Sequence, residues 1–542
     1  MKSRRLFSPV EAVKSLLIFL LTVLMLVLVI LLVIGQNRTG EETLPQADRM
    51  VIYASGVQSK YVSGMDTERV SPYLLAYRQD GKETYIIHAS DTVQKPYAVL
   101  YPLLRVLFGA DGIGYAVDAD AGEALWSACI GMPDSVYVRY HSALPSSVIR
   151  AYTYSEEDSE TVTAALDDSA RGHAAYVREL FLIPAEQLLQ NESLLSSQIP
   201  MDPDAICAVT MDDRGEVTLF LPVGNAPDYG VQTTAAEPEA AGTDAESRAR
   251  VSESVGVLEA YIASMAALSV QVQTGTLISS GLPYGTTVSL DGIYAMPEIS
   301  RYAYDPGLLY DDPQKLLSVL GLLGLREGDA DNYYTDGAGD RIYLNASGRL
   351  TVSETASVVR YVALQEGGLD PADYLGYASI GRDYTLSEYL RAADKLLSQL
   401  ALSDAILGGD VLDCSLVGVE IRKEEDADAL LLTYGYTYNG IPLLDGNGEL
   451  LPAMLLRASG GVITELELHL CDAASSDTKQ YLLPQSVMAE AMALEQAQNT
   501  ETDTDMTEPA AEKPVIPLYM AYLCDSPDGF GSFTADWIGI GT

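Results

Sequence analysis

One serine and one lysine have the spacing of a nucleophilic catalyst. Ser476 and Lys479 fit the S-x-x-K pattern, in which the serine attacks an acyl group after a nearby base removes its proton. The pair falls in a polar segment that reads as a loop, and neither S-D-N nor K-T-G accompanies it. The chain also lacks G-x-S-x-G and the P-loop pattern. We therefore predict no catalytic residue and no enzyme activity.

Three acidic groups carry enough oxygen atoms to bind a hard cation such as calcium. None has the twelve-residue loop with a central glycine and a terminal glutamate that an EF-hand requires. We expect a solvated acidic turn at each of them. The groups are Asp118, Asp120 and Glu123; Asp329, Asp331, Asp336 and Asp340; and Asp445, Asn447 and Glu449.

Histidine and cysteine spacing predicts no metal site. The four histidines lie outside H-E-x-x-H, and the five cysteines form no C-x-x-C pair. We expect the cysteines to be small buried apolar residues. One or two long-range disulfides stay open as an alternative in an oxidising compartment. The sequence thus predicts no metal ligand and no cofactor.

The net charge excludes one class of partner. The 542 residues include 76 Asp and Glu against 33 Lys and Arg, which gives a net charge of −43. Nucleic acid binding needs a basic face, so we predict no nucleic-acid partner. Because 48% of the residues are hydrophobic, the acidity belongs to a folded chain. The 34 tyrosines fit β-sheet propensity, and an aromatic binding platform is the alternative.

The strongest signal lies at the N-terminus. Residues 15–34 form an uncharged run of 20 residues, which spans about 30 Å of hydrocarbon as a helix. Four basic residues and one acid precede it, and the positive-inside rule places that end in the cytoplasm. A cleaved signal peptide is the alternative, but its apolar part is usually shorter. We predict a single-pass cell-membrane protein whose body is extracellular.

Five leucines of this run repeat at alternating spacings of four and three residues. Such a heptad-like seam is typical of a transmembrane helix that packs against another helix. Leucine is so frequent here that the series also arises easily by chance. The candidate interface with a partner helix consists of Leu17, Leu21, Leu24, Leu28 and Leu31.

Changes in composition divide the chain. Polar stretches with few large apolar residues predict a stalk, a flexible linker and a disordered loop. The predicted parts are a cytoplasmic tail at 1–14, a transmembrane anchor at 15–35, a stalk at 36–48, an N-terminal extracytoplasmic domain at 49–229, a linker at 230–253, a middle domain at 254–384, and a C-terminal domain at 385–542 that contains a disordered loop at 497–513.

Apolar periodicity predicts both helices and strands in the exported body. We expect helices at 92–109, 119–129, 156–171, 257–270, 313–325, 386–402 and 486–496. We expect strands at 135–141, 176–183, 205–211 and 216–222, a hairpin within 335–354, antiparallel strands between 429 and 471, and closing strands after 513. The prediction is an α+β fold of several domains, in which antiparallel sheets carry helices on one face.

Five features combine these elements into a larger pattern. They are the single span before an exported body; PDSVYVRYHSALPSSVIRAY at 133–152; Tyr-Thr-Asp-Gly at 334–337 before a hairpin; LLLTYGYTYNGIPLL at 430–444 with Ser-Gly-Gly-Val-Ile at 459–463; and Leu-Leu-Pro at 482–484 with the terminal LYMAYL and ADWIGI. Together they resemble the YycH and YycI regulatory proteins of Gram-positive bacteria. The last two also resemble PepSY-like α+β modules.

The resemblance implies binding without turnover. YycH-type proteins are membrane-anchored regulators of WalK-like sensor histidine kinases in two-component systems. The implied partner is such a kinase, contacted by the span and by the exported domains, and a paralogous regulator remains open as a second partner. Two alternatives stay open: a PepSY-like envelope protein that inhibits a protease or supports wall assembly, and an anchored envelope hydrolase.

Overall fold

Two large sheets, almost entirely antiparallel, dominate the body of the protein. In this computed structural model, residues 62–542 form one compact unit. The structure describes residues 67–70, 72–79, 81, 84–88, 91–108, 112–153, 175–190, 201–222, 243–268, 273–279, 286–290, 294–303, 319–325, 332–353, 357–364, 367–376, 384, 386–401, 411–423, 428–484, 487–488, 518–524, 526–527 and 529–539.

The first sheet has nine strands in the spatial order β3-β7-β6-β5-β4-β1-β2-β8-β9, so β3 and β9 are its edges. Its inner strands β5 and β6 are nearly continuous apolar runs because both of their faces are buried. The strands are β1 (Leu74–Arg78), β2 (Thr84–His88), β3 (Gly112–Ala116), β4 (Ser135–Pro145), β5 (Tyr176–Pro184), β6 (Ile206–Met211), β7 (Val217–Pro222), β8 (Gln273–Ser279) and β9 (Thr286–Leu290).

The second sheet has 13 strands in the order β11-β12-β13-β14-β19-β18-β16-β17-β21-β22-β10-β20, with β15 paired to β16 off this path. Only β17 and β21 pair in parallel among the described strands. The strands are β10 (Tyr294–Ala303), β11 (Tyr333–Thr335), β12 (Arg341–Leu344), β13 (Gly348–Val352), β14 (Val358–Ala363), β15 (Asp413–Lys423), β16 (Asp428–Tyr438), β17 (Ile441–Leu444), β18 (Pro452–Ser459), β19 (Val462–His469), β20 (Cys471–Leu482), β21 (Leu518–Cys524) and β22 (Gly531–Gly539).

Helices cover parts of both sheets. Trp126 in α3 packs its indole edge-on against Phe181 of β5, with ring centroids 4.9 Å apart, and this aromatic pair lies in the buried core. The helices are α1 (Asp91–Ala98), α2 (Tyr101–Leu107), α3 (Ala119–Gly131), α4 (Ser146–Ala151), α5 (Ala185–Leu189), α6 (Thr243–Leu268), α7 (Pro371–Leu375) and α8 (Leu386–Ala401), preceded by a short 3-10 helix at Thr67–Val70.

The α+β prediction is confirmed, as are most local elements within the described residues. The expected helices at 119–129 and 386–402 correspond to α3 and α8, and the closing strands to β21 and β22. The predicted Asn-Gly turn joins β16 to β17, where Asn439 and Gly440 have φ angles of 48° and 73°. These left-handed angles are the ones that a tight hairpin turn demands, and asparagine and glycine adopt them at the least cost.

Two predicted elements differ in the structure. The helix expected at 92–109 is divided into α1 and α2, because proline at position 102 has no amide hydrogen and begins a new helix. Helix α6 begins at Thr243, inside the linker predicted at 230–253. The residues from 243 to 253 are rich in Ala, Glu and Arg, which favour helix once the chain is anchored.

Strands β8 and β9 do not follow the predicted domain boundary at residues 230–253. Both strands come from the range 254–384, which was expected to form a middle domain, yet β8 pairs with β2 and extends the first sheet. Such a pairing joins residues about two hundred positions apart, and composition carries no sign of it. The predicted helix at 156–171 and the loop at 497–513 lie outside the described residues, and so does most of the predicted helix at 486–496.

The predicted membrane anchor also falls outside the described residues, which begin at residue 67. Within the part of the chain that the structure describes, no helix is both long enough and apolar enough to cross a membrane.

Candidate functional site

A groove of about 970 Å³ opens between the two sheets. One wall is the edge strand β3, and the opposite wall is the end of β15. The start of α4 and the turn between β6 and β7 complete the lining. The size is at the upper end of the range for pockets that bind small molecules, and its walls are strands. We call this site the edge groove.

The residues of β3 that line the groove have small side chains or none. Gly112, Gly114 and Ala116 alternate along the strand and all line the groove. A Cβ atom on Gly114 would lie 3.1 Å from Cε1 of Phe220, which crosses over this glycine from β7. Among the described strands β3 pairs only with β7, so its outer edge keeps backbone groups without a strand partner.

The β15 wall presents a second strand edge. Within the described chain β15 pairs only with β16. The first part of its outer edge is satisfied, because Arg69 Nη1 donates to the Cys414 carbonyl at 2.8 Å and Ser142 Oγ donates to the Val417 carbonyl. Beyond that point Val419, Glu420 and Ile421 line the groove. Both walls thus belong to strands that keep one edge without a partner strand within the described chain.

The lining of the edge groove is acidic. It contains four carboxylates and one guanidinium: Asp212, Asp213, Glu216, Glu420 and Arg214. Asp212 shapes the turn between β6 and β7, because its Oδ1 accepts from the amides of Arg214 at 2.9 Å and Glu216 at 2.8 Å. Glu216 and Glu420 are exposed, and Glu420 accepts two hydrogen bonds of 2.8 Å from the Arg422 guanidinium.

One buried hydroxyl of the lining lacks a protein partner. Ser147 at the start of α4 is 4% exposed, and its Oγ makes no hydrogen bond to any residue in the described part of the chain. A buried polar group without a hydrogen bond costs about 1–3 kcal/mol. A ligand atom that pairs with this hydroxyl would recover that energy.

A buried ion pair fixes the strands behind the groove. Arg139 Nε of β4 lies 3.4 Å from Glu179 Oε1 of β5, and neither side chain is accessible beyond a few per cent. Glu179 Oε2 accepts from the Tyr137 hydroxyl at 2.9 Å and from the Thr286 amide at 3.0 Å. Burial, and next the charge of Glu179, raise the pKa of Tyr137. This network joins β9 to the middle of the first sheet.

A second buried network joins the two sheets. Asp394 of α8 accepts hydrogen bonds from the hydroxyls of Tyr152 and Tyr434, while Arg69 Nε lies 4.0 Å from the same carboxylate oxygen. Tyr152 and Arg69 precede the second sheet in the chain, whereas Tyr434 lies on β16. Asp394 therefore links residues that precede the second sheet to β16, a strand of that sheet.

The residues singled out by the sequence are not brought together. The five leucines of the predicted seam lie outside the described residues. Ser476 and Lys479 lie on the exposed edge strand β20, where a loop was expected, because pairing with β10 holds this polar segment extended. Residues three apart on a strand point to opposite faces, so this serine and lysine cannot act on one substrate. The Ser476 hydroxyl instead accepts from the Thr478 amide at 3.0 Å.

Two of the three acidic groups form turns where the structure describes them, whereas Asp120 and Glu123 lie in the helix α3 and Asp118 is its N-cap residue. Asp445 Oδ1 accepts from the amides of Asn447 and Glu449, each at 2.8 Å, and Asp336 Oδ1 binds two amides in the same way. Slight burial acts to raise the pKa of Asp445, but these hydrogen bonds hold it below its usual value. Within the described residues no cluster of three or more His, Cys, Asp or Glu could hold a metal ion.

The cysteine prediction is confirmed. All five cysteines belong to the described part of the chain, and each is buried with a free thiol. Burial raises the pKa of Cys414 to about 12, so this thiol stays protonated and unreactive.

Sequence reasoning missed the residues of the edge groove. The Gly-x-Gly-x-Ala alternation of β3 and the acidic turn at 212–216 were visible signals, but nothing in the sequence brings them beside β15. In comparisons with known proteins, the chain matches no protein-family model, no curated protein and no solved structure. The family resemblance therefore stays a prediction.

Proposed function

We propose that the protein is a membrane-anchored regulator that acts by binding the extracytoplasmic part of a sensor histidine kinase. The observation that carries this proposal is the edge groove, where β3 and β15 each present a strand edge without a partner strand among the described residues. An opening between two strands of this kind fits an extended segment of another protein, which gains backbone hydrogen bonds as an added strand.

The charge of the groove defines the segment that it would accept. The described lining holds four carboxylates and one arginine, and Arg178 and Arg422 beside it pair with Asp213 and Glu420. The remaining negative charge favours an extended segment that carries Lys or Arg over an acidic one. A buried serine hydroxyl, that of Ser147, supplies one more hydrogen-bonding group.

The proposed anchor supplies the second contact. A helix at residues 15–35 would place the body next to the kinase in the same membrane, with Leu17, Leu21, Leu24, Leu28 and Leu31 as its packing seam. A regulator of this kind shifts kinase output only if it binds the two signalling states of the kinase with different affinity. A paralogous regulator is compatible with the same contacts.

Co-purification of the full chain from native membranes tests the proposal. A histidine kinase is the expected partner, and the double variant Glu216→Lys/Glu420→Lys should weaken its capture by about tenfold, since each reversal loses roughly 0.7 kcal/mol. Both residues are exposed and lie on opposite walls of the groove. The matched control is Glu123→Lys/Asp477→Lys, which changes the charge equally at exposed positions outside the lining.

Two results would overturn the proposal. Capture of a peptidase or a wall-synthesis enzyme in place of a kinase would favour the PepSY-like alternative. Equal capture of the kinase by the groove variant and by the control variant would remove the edge groove from the interaction.

A further inference from the structure

A second cavity, of about 550 Å³, lies where β4 and β5 of the first sheet approach β17, β21 and β22 of the second. Its volume falls within the range of cavities that enclose small molecules, roughly 300–1,000 Å³. It shares no lining residue with the edge groove. We call it the inner cavity.

The two sides of the inner cavity differ in character. The side formed by the second sheet is almost entirely apolar, with Val417, Pro442, Leu444, Leu450, Met520 and Ile538. The side formed by the first sheet carries the polar groups, namely Tyr73, Arg139, His141, Ser142 and Arg178. Asn447 adds one amide from the second sheet. A ligand with an apolar body and one polar end matches this division.

The polar side carries cationic side chains. Among the described residues, the lining includes two arginines and a histidine but neither Asp nor Glu, in a chain with 76 acidic residues. The charge of Arg139 is neutralised by Glu179, whose Oε1 lies 3.4 Å from the arginine Nε. Arg178 is 14% exposed, and its ion pair is with Asp213, which lies 3.3 Å away and is itself half exposed. The charge of Arg178 is therefore only partly compensated.

His141 offers the second polar group. Its ring stacks on Tyr73 with the centroids 5.4 Å apart, which fixes the orientation of the imidazole. Its Nε2 is buried and has no hydrogen-bond partner within the described residues. Burial, and next the charge of Arg139, lower the pKa of His141 to about 4, so the ring is neutral near pH 7. A neutral ring can donate one hydrogen bond from this nitrogen.

We infer that the inner cavity binds a small amphipathic monocarboxylate, with the carboxylate between Arg178 and His141 and the apolar body against Leu444, Leu450, Met520 and Ile538. A guanidinium and a carboxylate share a planar, bidentate geometry, which favours this anion. A single negative charge suits the site, because one partly compensated arginine cannot neutralise a dianion such as phosphate.

Calorimetry with the full chain in lipid discs tests this inference, with 4-phenylbutyrate as the probe. The carboxylate should bind with a Kd below the millimolar range. The neutral amide of the same acid should bind about tenfold or more weakly, since one charge-assisted hydrogen bond is worth roughly 1.5–3 kcal/mol. Butyrate, which lacks the apolar body, should bind weakly too. Discs that lack the protein give the partition of the probe into lipid.

Point variants test whether 4-phenylbutyrate binds in the inner cavity. Arg178→Gln keeps a long polar side chain and should weaken 4-phenylbutyrate binding about tenfold, and Arg178→Lys should restore only part of the affinity, because its ammonium keeps the charge but lacks the bidentate geometry. The control Arg349→Gln removes an exposed arginine outside both the inner cavity and the edge groove, and it should bind the probe like the unchanged protein. Equal affinity for acid and amide, or unchanged affinity of Arg178→Gln, would overturn the inference. The residues changed in Glu216→Lys/Glu420→Lys lie outside the inner cavity. The effect of this variant on kinase capture therefore tests the edge groove, whereas probe binding tests the inner cavity.

Discussion

The hydroxyls of Tyr152 and Tyr434 donate hydrogen bonds to the same oxygen of Asp394, at 3.0 Å and 3.1 Å. The two tyrosines are 282 positions apart, and Asp394 is 3% exposed. One buried carboxylate therefore joins α4, α8 and β16. Burial, and next the charge of Asp394, raise the pKa of Tyr152, so the hydroxyl remains a donor at any moderate pH.

Removal of that carboxylate should destabilise the protein strongly. We expect Asp394→Ala to lower the free energy of unfolding by about 3–5 kcal/mol, because two buried hydroxyls lose their acceptor and the nearby Arg69 loses a compensating charge. Tyr152→Phe removes a single hydrogen bond to a charged group and should cost only about 1.5–3 kcal/mol. Chemical denaturation of the full chain measures both. An alanine variant as stable as the unchanged protein would mean that the network does not hold the sheets together.

The ion pair of Arg139 and Glu179 should behave as one unit. Glu179→Gln leaves the buried arginine uncompensated, and we expect a loss of about 3–5 kcal/mol in the free energy of unfolding. The double variant Arg139→Met/Glu179→Leu removes both charges and should be more stable than Glu179→Gln alone. A double-mutant cycle on unfolding curves measures the coupling. Additive losses in the cycle would show that the two side chains act separately.

His141 should make the protein less stable in acid. Its folded pKa is about 4 while the unfolded value is near 6.5, so the unfolded chain binds the proton more tightly between these values. Its contribution is complete above about pH 6.5 and is lost as the pH falls toward 4, by up to about 3 kcal/mol.

The control for this pH dependence is His141→Gln, which has no titrating ring. Unfolding curves recorded across that pH interval should fall less steeply for the variant than for the unchanged protein. Parallel curves would exclude His141 as the source of the acid sensitivity.

Filling the edge groove should block the partner and leave the fold intact. Gly114→Ala adds only a Cβ atom, 3.1 Å from the Phe220 ring, which must shift by a few tenths of an ångström. Gly114→Leu adds more bulk at the same place and must displace the Phe220 ring, which itself lines the groove. We expect kinase capture to fall slightly for alanine and by about tenfold or more for leucine, since an added strand needs the β3 backbone to be accessible. Circular dichroism checks the fold, and capture by Gly114→Leu at the unchanged level would contradict the groove model of binding.

Local signals in the sequence account for the elements that form by local contacts. The Asn439-Gly440 turn, the hairpin β12–β13 and the amphipathic helix α8 each depend on neighbouring residues, and all three are in the structure as predicted. Asp394 illustrates what such signals leave out. On α8 it reads as an ordinary polar residue, yet it is buried because tyrosines from two distant segments meet it.

The same limit explains why the two candidate sites were not predicted. β3 and β15 are about three hundred residues apart, and their approach depends on how the first sheet packs against the second. The inner cavity likewise combines β4 and β5 with β17, β21 and β22. Spacing along a chain gives no measure of such distances, so carboxylates and arginines of these sites look like solvated surface residues until the sheets are in place.

Arg178 lines the inner cavity, while Asp213, its ion-pair partner, lines the edge groove. Asp213 also accepts a hydrogen bond from the Ala143 amide at 3.1 Å, so it stays in position if the arginine turns away. An anion that drew Arg178 toward itself would leave the groove more negative and raise its affinity for a basic segment. Thermodynamic linkage makes the effect mutual, so occupancy of the groove by such a segment would in turn tighten the binding of the anion. One shared guanidinium would thus couple the proposed carboxylate ligand to the proposed protein partner.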